Sequence, residues 1–123
     1  MGTIQKFTDL KAWQSGQKLV VSIYTMTKKF PSDEVFGLTN QLRRASISIS
    51  SNIAEGFGRD SNVDKLRFYV MARGSANEVQ SQLYAAKEIG YAVGEEYEKC
   101  LQNADEAQRI IHGLIKATKD RIK

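Results

Sequence analysis

Apolar residues recur along this chain at three- and four-residue steps, the spacing that places side chains on one face of an α-helix. In the middle of the chain this spacing holds from Leu38 to Ile53. Within that stretch, "SISIS" at 46–50 alternates apolar and polar residues like a strand, but for five residues only. The longer pattern predicts a helix, with Leu38, Leu42, Ala45, Ile49 and Ile53 on its apolar face.

Three further segments carry helical spacing. The N-terminal segment has a broad apolar stripe, and the two C-terminal segments alternate three- and four-residue steps like a heptad seam. Their apolar positions are Trp13, Val20, Ile23, Tyr24 and Thr27 in the first; Tyr69, Ala72, Ala76, Val79, Leu83 and Ala86 in the second; and Tyr97, Leu101, Ala104, Gln108, Ile111, Ile115, Thr118 and Ile122 in the third.

Turn residues separate these segments. Asp9 is expected to cap the first helix, and Pro31 to end it near Phe30, because the residue before a proline avoids the α region. Glycines in "GFGR" and "IGYAVG" are suited to end the second and third helices. The sequence therefore predicts one all-α domain over residues 1–123, an antiparallel up-down-up-down four-helix bundle, with helices at about 9–30, 34–57, 62–89 and 95–121.

A polar stripe runs beside the apolar stripe of the second helix, and the third helix offers polar groups on neighbouring turns. The opposite side of the second helix carries Ile47 and Ala54. We therefore expect the polar stripe to meet another helix or another subunit, with arginine and glutamate paired and an asparagine bridging them; the alternative is an ordinary solvated surface. The residues assigned to this structural or assembly role are Gln41, Arg44, Asn52, Glu55, Arg59, Arg73 and Glu78.

Composition narrows the class of protein. Hydrophobic residues make up 41% of the 123 residues and charged residues 26%, as in a folded globular domain. No segment is long and apolar enough to suggest a membrane span, and the N-terminus lacks the apolar core of a secretory signal. The single cysteine fits a reducing cytoplasm, which is the expected location. A net charge of +4 does not alone indicate a nucleic-acid partner.

Several blocks of sequence resemble a known family. They are "FPSDEVFGLTNQLRRA", "NIAEGFGR" and "ARGSANEVQSQL", in order and at the family's spacing. With them the chain resembles the S23 ribosomal protein, or 23S rRNA intervening-sequence protein, family from Leu10 to about Ile89 and the residues that follow. This family is related to the accessory proteins of diversity-generating retroelements.

The resemblance implies a bundle of four antiparallel helices that assembles into a ring-like homopentamer. For the retroelement accessory proteins it implies a basic barrel that binds nucleic acid and a reverse transcriptase. The biochemical role of most family members is unknown. This chain is less basic than the retroelement accessory proteins, which argues against assigning it their role in binding nucleic acid and a reverse transcriptase.

The matching motif positions extend the polar stripe. A departure is Ser50, where the family commonly has proline; because proline kinks a helix, this helix is expected to run straighter than its relatives. The matched positions are Gln41, Arg43, Arg44, Asn52, Glu55, Gly56 and Arg59 on the second helix, and Arg73, Gly74, Ser75 and Glu78 on the third.

An enzymatic function is not expected. His112 is the only histidine, and no Cys or His cluster has metal-ligand spacing, so neither a metal nor another cofactor is expected. Glu55 and Glu78 could converge as paired carboxylates, but each has an arginine nearby in sequence, which favours ion pairing. Cys100 is expected to be a buried small hydrophobe.

Two classes of binding function stay open. The first is RNA or DNA binding, for which the candidate residues are Lys28, Lys29, Arg43, Lys65, Arg67, Lys116, Lys119 and Lys123. The second is a structural or adaptor protein that holds a protein partner without significant nucleic-acid binding. Trp13, Tyr24, Phe36 and Phe57 could serve either core packing or such a partner site.

Overall fold

The computed structural model describes residues 3–122 and contains four α-helices. Consecutive helices pack against each other, and the first also packs against the fourth, which closes the bundle. Neighbouring helices are antiparallel, so the predicted all-α up-down bundle is confirmed. The helices are α1 (Lys11–Thr27), α2 (Leu38–Phe57), α3 (Asn62–Ile89) and α4 (Gly94–Asp120), with 3₁₀ turns at Phe7–Asp9 and Ser32–Glu34.

The start of α1 differs from the prediction. The Asp9 carboxylate accepts the backbone N–H groups of Gln5 and Lys6, each at 3.0 Å, within the 3₁₀ turn that precedes the helix. These two hydrogen bonds lower the pKa of Asp9. Leu10 occupies the N-cap position without a side-chain capping bond, so the prediction that Asp9 caps the helix is wrong.

The start of α2 lies later than the predicted residue 34, because the residues after Pro31 form a 3₁₀ turn. Glu34 Oε1 accepts the Leu38 N–H at 3.1 Å, which satisfies one free donor of the first turn. The helix then continues through "SISIS" and Ser50 to Phe57, which confirms the helical interpretation of that segment.

The core follows the predicted stripes on α2 and α3. Leu42, Ile49 and Ile53 are fully buried, and so are the six seam positions of α3 between Tyr69 and Ala86. Glycine lets these two helices approach closely: a Cβ added at Gly56 would lie 2.7 Å from the Tyr69 ring.

The core face of α1 is offset from the prediction. Leu19 and Met26 are buried beside Ile23, whereas Trp13 and Tyr24 are half-buried at the edge of the core. Apolar residues of α1 occupy more than one face, so their spacing alone did not identify which face turns inward. On α4 the core also includes Ala107, which was not predicted for it, and Cys100, whose predicted burial is confirmed; both are fully buried.

The loops define two ends of the bundle. Tyr91 Oη donates to Glu34 Oε2 at 2.9 Å, and its ring packs on Phe30 with centroids 5.6 Å apart. The α1–α2 and α3–α4 loops therefore lie together at one end. The α2–α3 turn lies at the other end, beside the start of α1 and the C-terminus of α4. Gly90 ends α3 with φ of 97°, a left-handed conformation that glycine adopts without strain.

Candidate assembly and nucleic-acid surfaces

A polar groove of about 360 Å³ lies between α2 and α3, where part of the predicted polar stripe meets its neighbours. At its floor the hydroxyls of Ser48 and Ser75 are 2.9 Å apart. Asn52 Nδ2 donates to the Ser48 carbonyl at 2.9 Å and to its hydroxyl at 3.1 Å. The asparagine thus ties its own helix to the serine pair, and it does not bridge an arginine to a glutamate as expected. The walls are formed by Asn40, Gln41, Arg44, Ala45, Glu78 and Gln82.

The charged members of the stripe face solvent on the single chain. Arg44 and Glu78 are exposed, and Arg73 is half-buried; within residues 3–122 none of them forms an ion pair. Glu55 pairs with Arg59 at 3.2 Å on the same exposed helix face. Pairing between helices of one bundle, one of the two expected arrangements, is therefore wrong. The other, contact with a second subunit, stays a prediction.

Glu55 and Glu78 do not converge. Ser48 lies beside Ser75 in the antiparallel pair, which places Glu78 opposite Ala45. Glu55 is ten residues further along α2, or roughly 15 Å at the rise of an α-helix. The register of α2 against α3 therefore excludes a paired-carboxylate site formed by Glu55 and Glu78.

Charge is divided unequally between the two halves of the bundle. Ser48 beside Ser75, Asn77 beside Gln108 and Gly16 beside Ser50 mark its middle. The half with the α2–α3 turn, residues 3–18, 48–75 and 108–122, contains 11 basic and 5 acidic residues, a net +6. The other half, residues 19–47 and 76–107, contains 6 basic and 9 acidic residues, a net −3. We call them the basic end and the acidic end.

Four of the eight candidate nucleic-acid residues lie at the basic end within the described part of the chain. Lys116 and Lys119 are exposed on the last turns of α4. Lys65 Nζ donates to the Phe57 carbonyl at 2.6 Å and so closes the C-terminus of α2. Arg67 lies 3.6 Å from the Asp64 carboxylate, both largely exposed. Lys123 falls outside the described residues.

The other three candidates lie at the acidic end, and two of them have partners there. Lys29 Nζ is 3.1 Å from Glu96 Oε1. Arg43 Nε donates to Thr27 Oγ1 at 2.9 Å, and its guanidinium stacks over the Tyr24 ring at 4.4 Å. Lys28 is exposed beside them. The structure therefore separates the candidates into two groups at opposite ends instead of joining them in one surface.

The basic end also contains cations that sequence reasoning missed. Lys6 and Lys11 at the start of the chain, and Arg121 at its end, are exposed in this half. The signal was available: in an up-down bundle the start of the first helix and the end of the fourth meet at the α2–α3 turn. Counting charge by bundle end, instead of by helix, would have found them.

The acidic end exposes large apolar side chains. The exposed fraction is 91% for Phe36 and 72% for Val93, with Val35 and Ile89 more than half exposed. The hydrogen bond from Tyr91 to Glu34 holds the two loops that carry them side by side. Phe36 is thus not a core residue, whereas Trp13, Tyr24 and Phe57 are partly buried.

Titratable groups of the interior are held neutral. Burial raises the pKa of the Cys100 thiol, and a hydrogen bond with Ser22 opposes that shift only in part. Burial likewise raises the pKa of Tyr69 and of Tyr97. Over residues 3–122 no group of three or more His, Cys, Asp or Glu side chains could hold a metal ion. In the same range no helix is long and apolar enough to cross a membrane.

Comparison with known proteins agrees with this architecture. No curated protein matches the chain. The crystal structure of a protein of unknown function from the S23 ribosomal protein family of Bacteroides thetaiotaomicron is similar in fold: its TM-score is 0.78 at 24% identity, over 85% of this chain and 98% of that one. Residues 8–113 match the family model described as 23S rRNA-intervening sequence protein. Since that match spans most of the sequence, the chain belongs to the 23S rRNA-intervening sequence protein family.

Proposed function

We propose that this protein is a non-enzymatic homo-oligomer, a pentamer by family resemblance, that binds nucleic acid through its basic end. The observation that carries the proposal is the uneven division of charge, with 11 basic and 5 acidic residues at the basic end. Phosphate contacts made by lysine and arginine release condensed counterions, which drives binding without a dedicated pocket.

Assembly strengthens this argument. A single chain carries a net charge of +4, and five copies carry +20. Cations gathered within about a Debye length of each other produce a larger local potential than the same cations on separate chains. Once a nucleic acid has bound one subunit, its effective concentration at the neighbouring subunits is raised, which favours further contacts. Weak binding by one chain would become useful binding by a ring.

The non-enzymatic part of the proposal is supported by the state of the reactive groups. Cys100 is fully buried, and its raised pKa keeps the thiol in the unreactive protonated form. Glu55 is paired with Arg59. It lies roughly 15 Å along α2 from Ala45, the residue opposite Glu78. His112 is the only histidine.

The test combines a mass with a binding curve. Light scattering gives the mass of the assembly, and fluorescence anisotropy gives the affinity for a labelled, structured RNA between about 50 and 200 mM salt. A matched DNA duplex distinguishes RNA from DNA as the ligand. We expect an oligomer whose affinity falls steeply with salt. A monomeric protein, or an affinity that does not change with salt concentration, would contradict the proposal.

A second candidate function is supported by the acidic end. Phe36, Val35, Ile89 and Val93 are exposed there among carboxylates, a surface that fits a protein partner better than a phosphate backbone. In this alternative the protein is an adaptor that scaffolds a protein partner. Co-purification of a partner that Phe36→Ser releases, together with no RNA binding at any of these salt concentrations, would favour the adaptor.

A further inference from the structure

A pocket at the acidic end is lined by cations, although this half of the bundle has a net charge of −3. It has a volume of about 490 Å³ and lies where the end of α1 and the α1–α2 loop meet the first turns of α2. Its charged lining residues are Lys28 and Arg43, and no carboxylate of the described residues lines it. Neither cation forms an ion pair within residues 3–122. We call this site the Arg43 pocket.

Arg43 is held in a fixed orientation by α1. Its Nε donates to Thr27 Oγ1 at 2.9 Å, and its guanidinium stacks over the Tyr24 ring at 4.4 Å. Thr27 Oγ1 in turn donates to the Ile23 carbonyl at 2.7 Å. These contacts use only Nε, so the two terminal amino groups have no hydrogen-bond acceptor within residues 3–122. A guanidinium fixed in this way loses little freedom on binding and can donate two parallel hydrogen bonds to one carboxylate.

Thr39 adds a hydroxyl to the lining of the Arg43 pocket. The residue is only 6% exposed, and its hydroxyl forms no hydrogen bond within residues 3–122, unlike that of Thr27. A polar group that is largely withdrawn from water and lacks a protein partner gains a hydrogen bond when a ligand supplies an acceptor. The pocket therefore offers a neutral donor beside its two cations.

The nearest carboxylates are engaged elsewhere. Glu96 pairs with Lys29 at 3.1 Å. The pKa of the Tyr91 phenol is raised, first by its hydrogen bond to Glu34 and in smaller part by the charge of Asp33. Asp33 and Glu34 therefore lie toward the α3–α4 loop, and neither lines the Arg43 pocket. An anionic group that enters the pocket meets the two cations first.

Apolar surface continues from the Arg43 pocket across the acidic end. Phe30 and Val35 belong to the lining, and Val35 is 51% exposed. Phe30 packs on the Tyr91 ring of the α3–α4 loop, which joins the pocket to that loop. Exposed Phe36 and Val93 extend the surface on both loops. This surface is wider than a small anion can cover, and the net −3 of this half would repel a polyanion.

From these observations we infer that the Arg43 pocket binds a single carboxylate carried by an extended apolar segment of a partner protein. The Arg43 fork and the Thr39 hydroxyl donate to the carboxylate oxygens, and Lys28 supplies the second positive charge. Apolar neighbours of the carboxylate pack on Val35 and Phe36. The inference goes beyond the proposed nucleic-acid binding, since it concerns the opposite end of the bundle, and it gives the chemistry of the partner in the adaptor alternative.

The test compares three fluorescein-labelled peptides that share one apolar sequence of leucine and alanine. The first has a central glutamate and an amidated C-terminus, and the second has glutamine in place of the glutamate. The third keeps the glutamine and has a free C-terminal carboxylate, which distinguishes a terminal carboxylate from a side-chain one. In fluorescence anisotropy we expect one of the two carboxylate peptides to bind at least about tenfold more tightly than the glutamine amide.

Two substitutions and a matched control locate the binding. Arg43→Lys keeps the charge and removes the fork, and Lys28→Gln removes the second cation. The control is Arg44→Gln, the neighbouring exposed arginine, which lines the α2–α3 groove instead. We expect each of the first two variants to lose most of the preference for the carboxylate peptide, while the control keeps it. Circular dichroism checks the fold of Arg43→Lys, and Lys28 is exposed, so its variant tests the pocket without disturbing the core.

The outcomes separate this inference from the proposed function. Equal binding of the three peptides, no binding of any of them up to about 1 mM, or an equal loss from Arg44→Gln would overturn the inference. None of these results would affect the binding of RNA at the basic end. The labelled RNA, measured on the Lys28→Gln variant, should bind as it does to the unmodified protein. A loss of RNA affinity as large as the loss of peptide affinity would make the pocket part of a nucleic-acid surface and would also overturn the inference.

Discussion

At the basic end most of the charged side chains are lysine and arginine, whereas at the acidic end exposed Phe36, Val35 and Val93 lie among carboxylates. Beneath both ends runs the same kind of core, built from fully buried aliphatic residues that continue along the whole bundle. The longest helix, α3, has 28 residues and thus separates the two surfaces by roughly 40 Å. The interior thus specifies the fold, while the surface composition of the two ends can differ without changing it.

Substitutions in the core test whether the two ends belong to one folding unit, and they should change stability most. Ile53→Ala removes core volume in the basic half, and Leu83→Ala does so in the acidic half; both side chains are fully buried. Each substitution is expected to lower the free energy of unfolding by about 2–5 kcal/mol, through lost burial and the cavity left behind. Denaturant unfolding should stay a single transition for both variants. Two transitions in either one would mean that the ends unfold separately.

Charge reversal should separate the ends in function. Lys116→Glu with Lys119→Glu removes two exposed cations from the basic end and adds two anions. We expect RNA affinity to fall at least about tenfold at fixed salt, with a shallower salt dependence. The matched pair at the acidic end, Lys28→Glu with Lys29→Glu, should change affinity less than about threefold. Equal losses from both pairs, measured by anisotropy, would show that RNA does not distinguish the ends.

Alkaline pH should lower the stability of both halves of the bundle alike. Tyr69 in the basic half and Tyr97 in the acidic half have raised pKa values, and burial is the main cause in each. Because the folded-state pKa lies above the unfolded value of about 10, the stabilisation is complete below that pH and is lost as pH rises through the folded-state pKa. The thermal midpoint should therefore fall above about pH 10. Tyr97→Phe should make that fall less steep, and an unchanged slope would argue against a buried titrating phenol.

Substitution of Phe36 should change stability and RNA affinity least. Its ring is 91% exposed, so Phe36→Ser should change the free energy of unfolding by no more than about 0.5 kcal/mol. RNA affinity should also stay within the error of the measurement, because the residue lies at the acidic end. A protein partner, if one binds there, should lose affinity. A substantial loss of stability would instead indicate that the α1–α2 loop packs more tightly than its exposure suggests.

Periodicity was sufficient for the parts of the fold in which one helix face is clearly apolar. The stripes from Leu38 to Ile53 and from Tyr69 to Ala86 are recovered as core, and the bundle follows from them. For α1 the same reasoning selected Trp13 and Tyr24, which lie at the edge of the core, because that helix is apolar on two sides. Packing against α2 and α4 decided between those sides, and a single helix contains no information about its neighbours.

The candidate surfaces were harder to predict because they depend on register. Whether Glu55 meets Glu78 is decided by the contact of Ser48 with Ser75, which sequence spacing does not specify. The role of the candidate lysines and arginines stays a prediction, and their division between two ends appears only once the helices are laid side by side. Arg43 shows a further limit: its stacking on Tyr24 and its bond to Thr27 depend on side chains sixteen or more residues away.

The burial of Cys100 has a practical consequence for site-specific labelling of the protein. It is the chain's only cysteine, its exposed fraction is 0%, and its thiol is kept protonated, so thiol reagents have nothing to modify in the native molecule. A cysteine introduced at any exposed position would become the sole attachment point for a fluorophore or spin label. Distances within the proposed assembly, or from it to an added nucleic acid, could then be measured in an otherwise unaltered sequence.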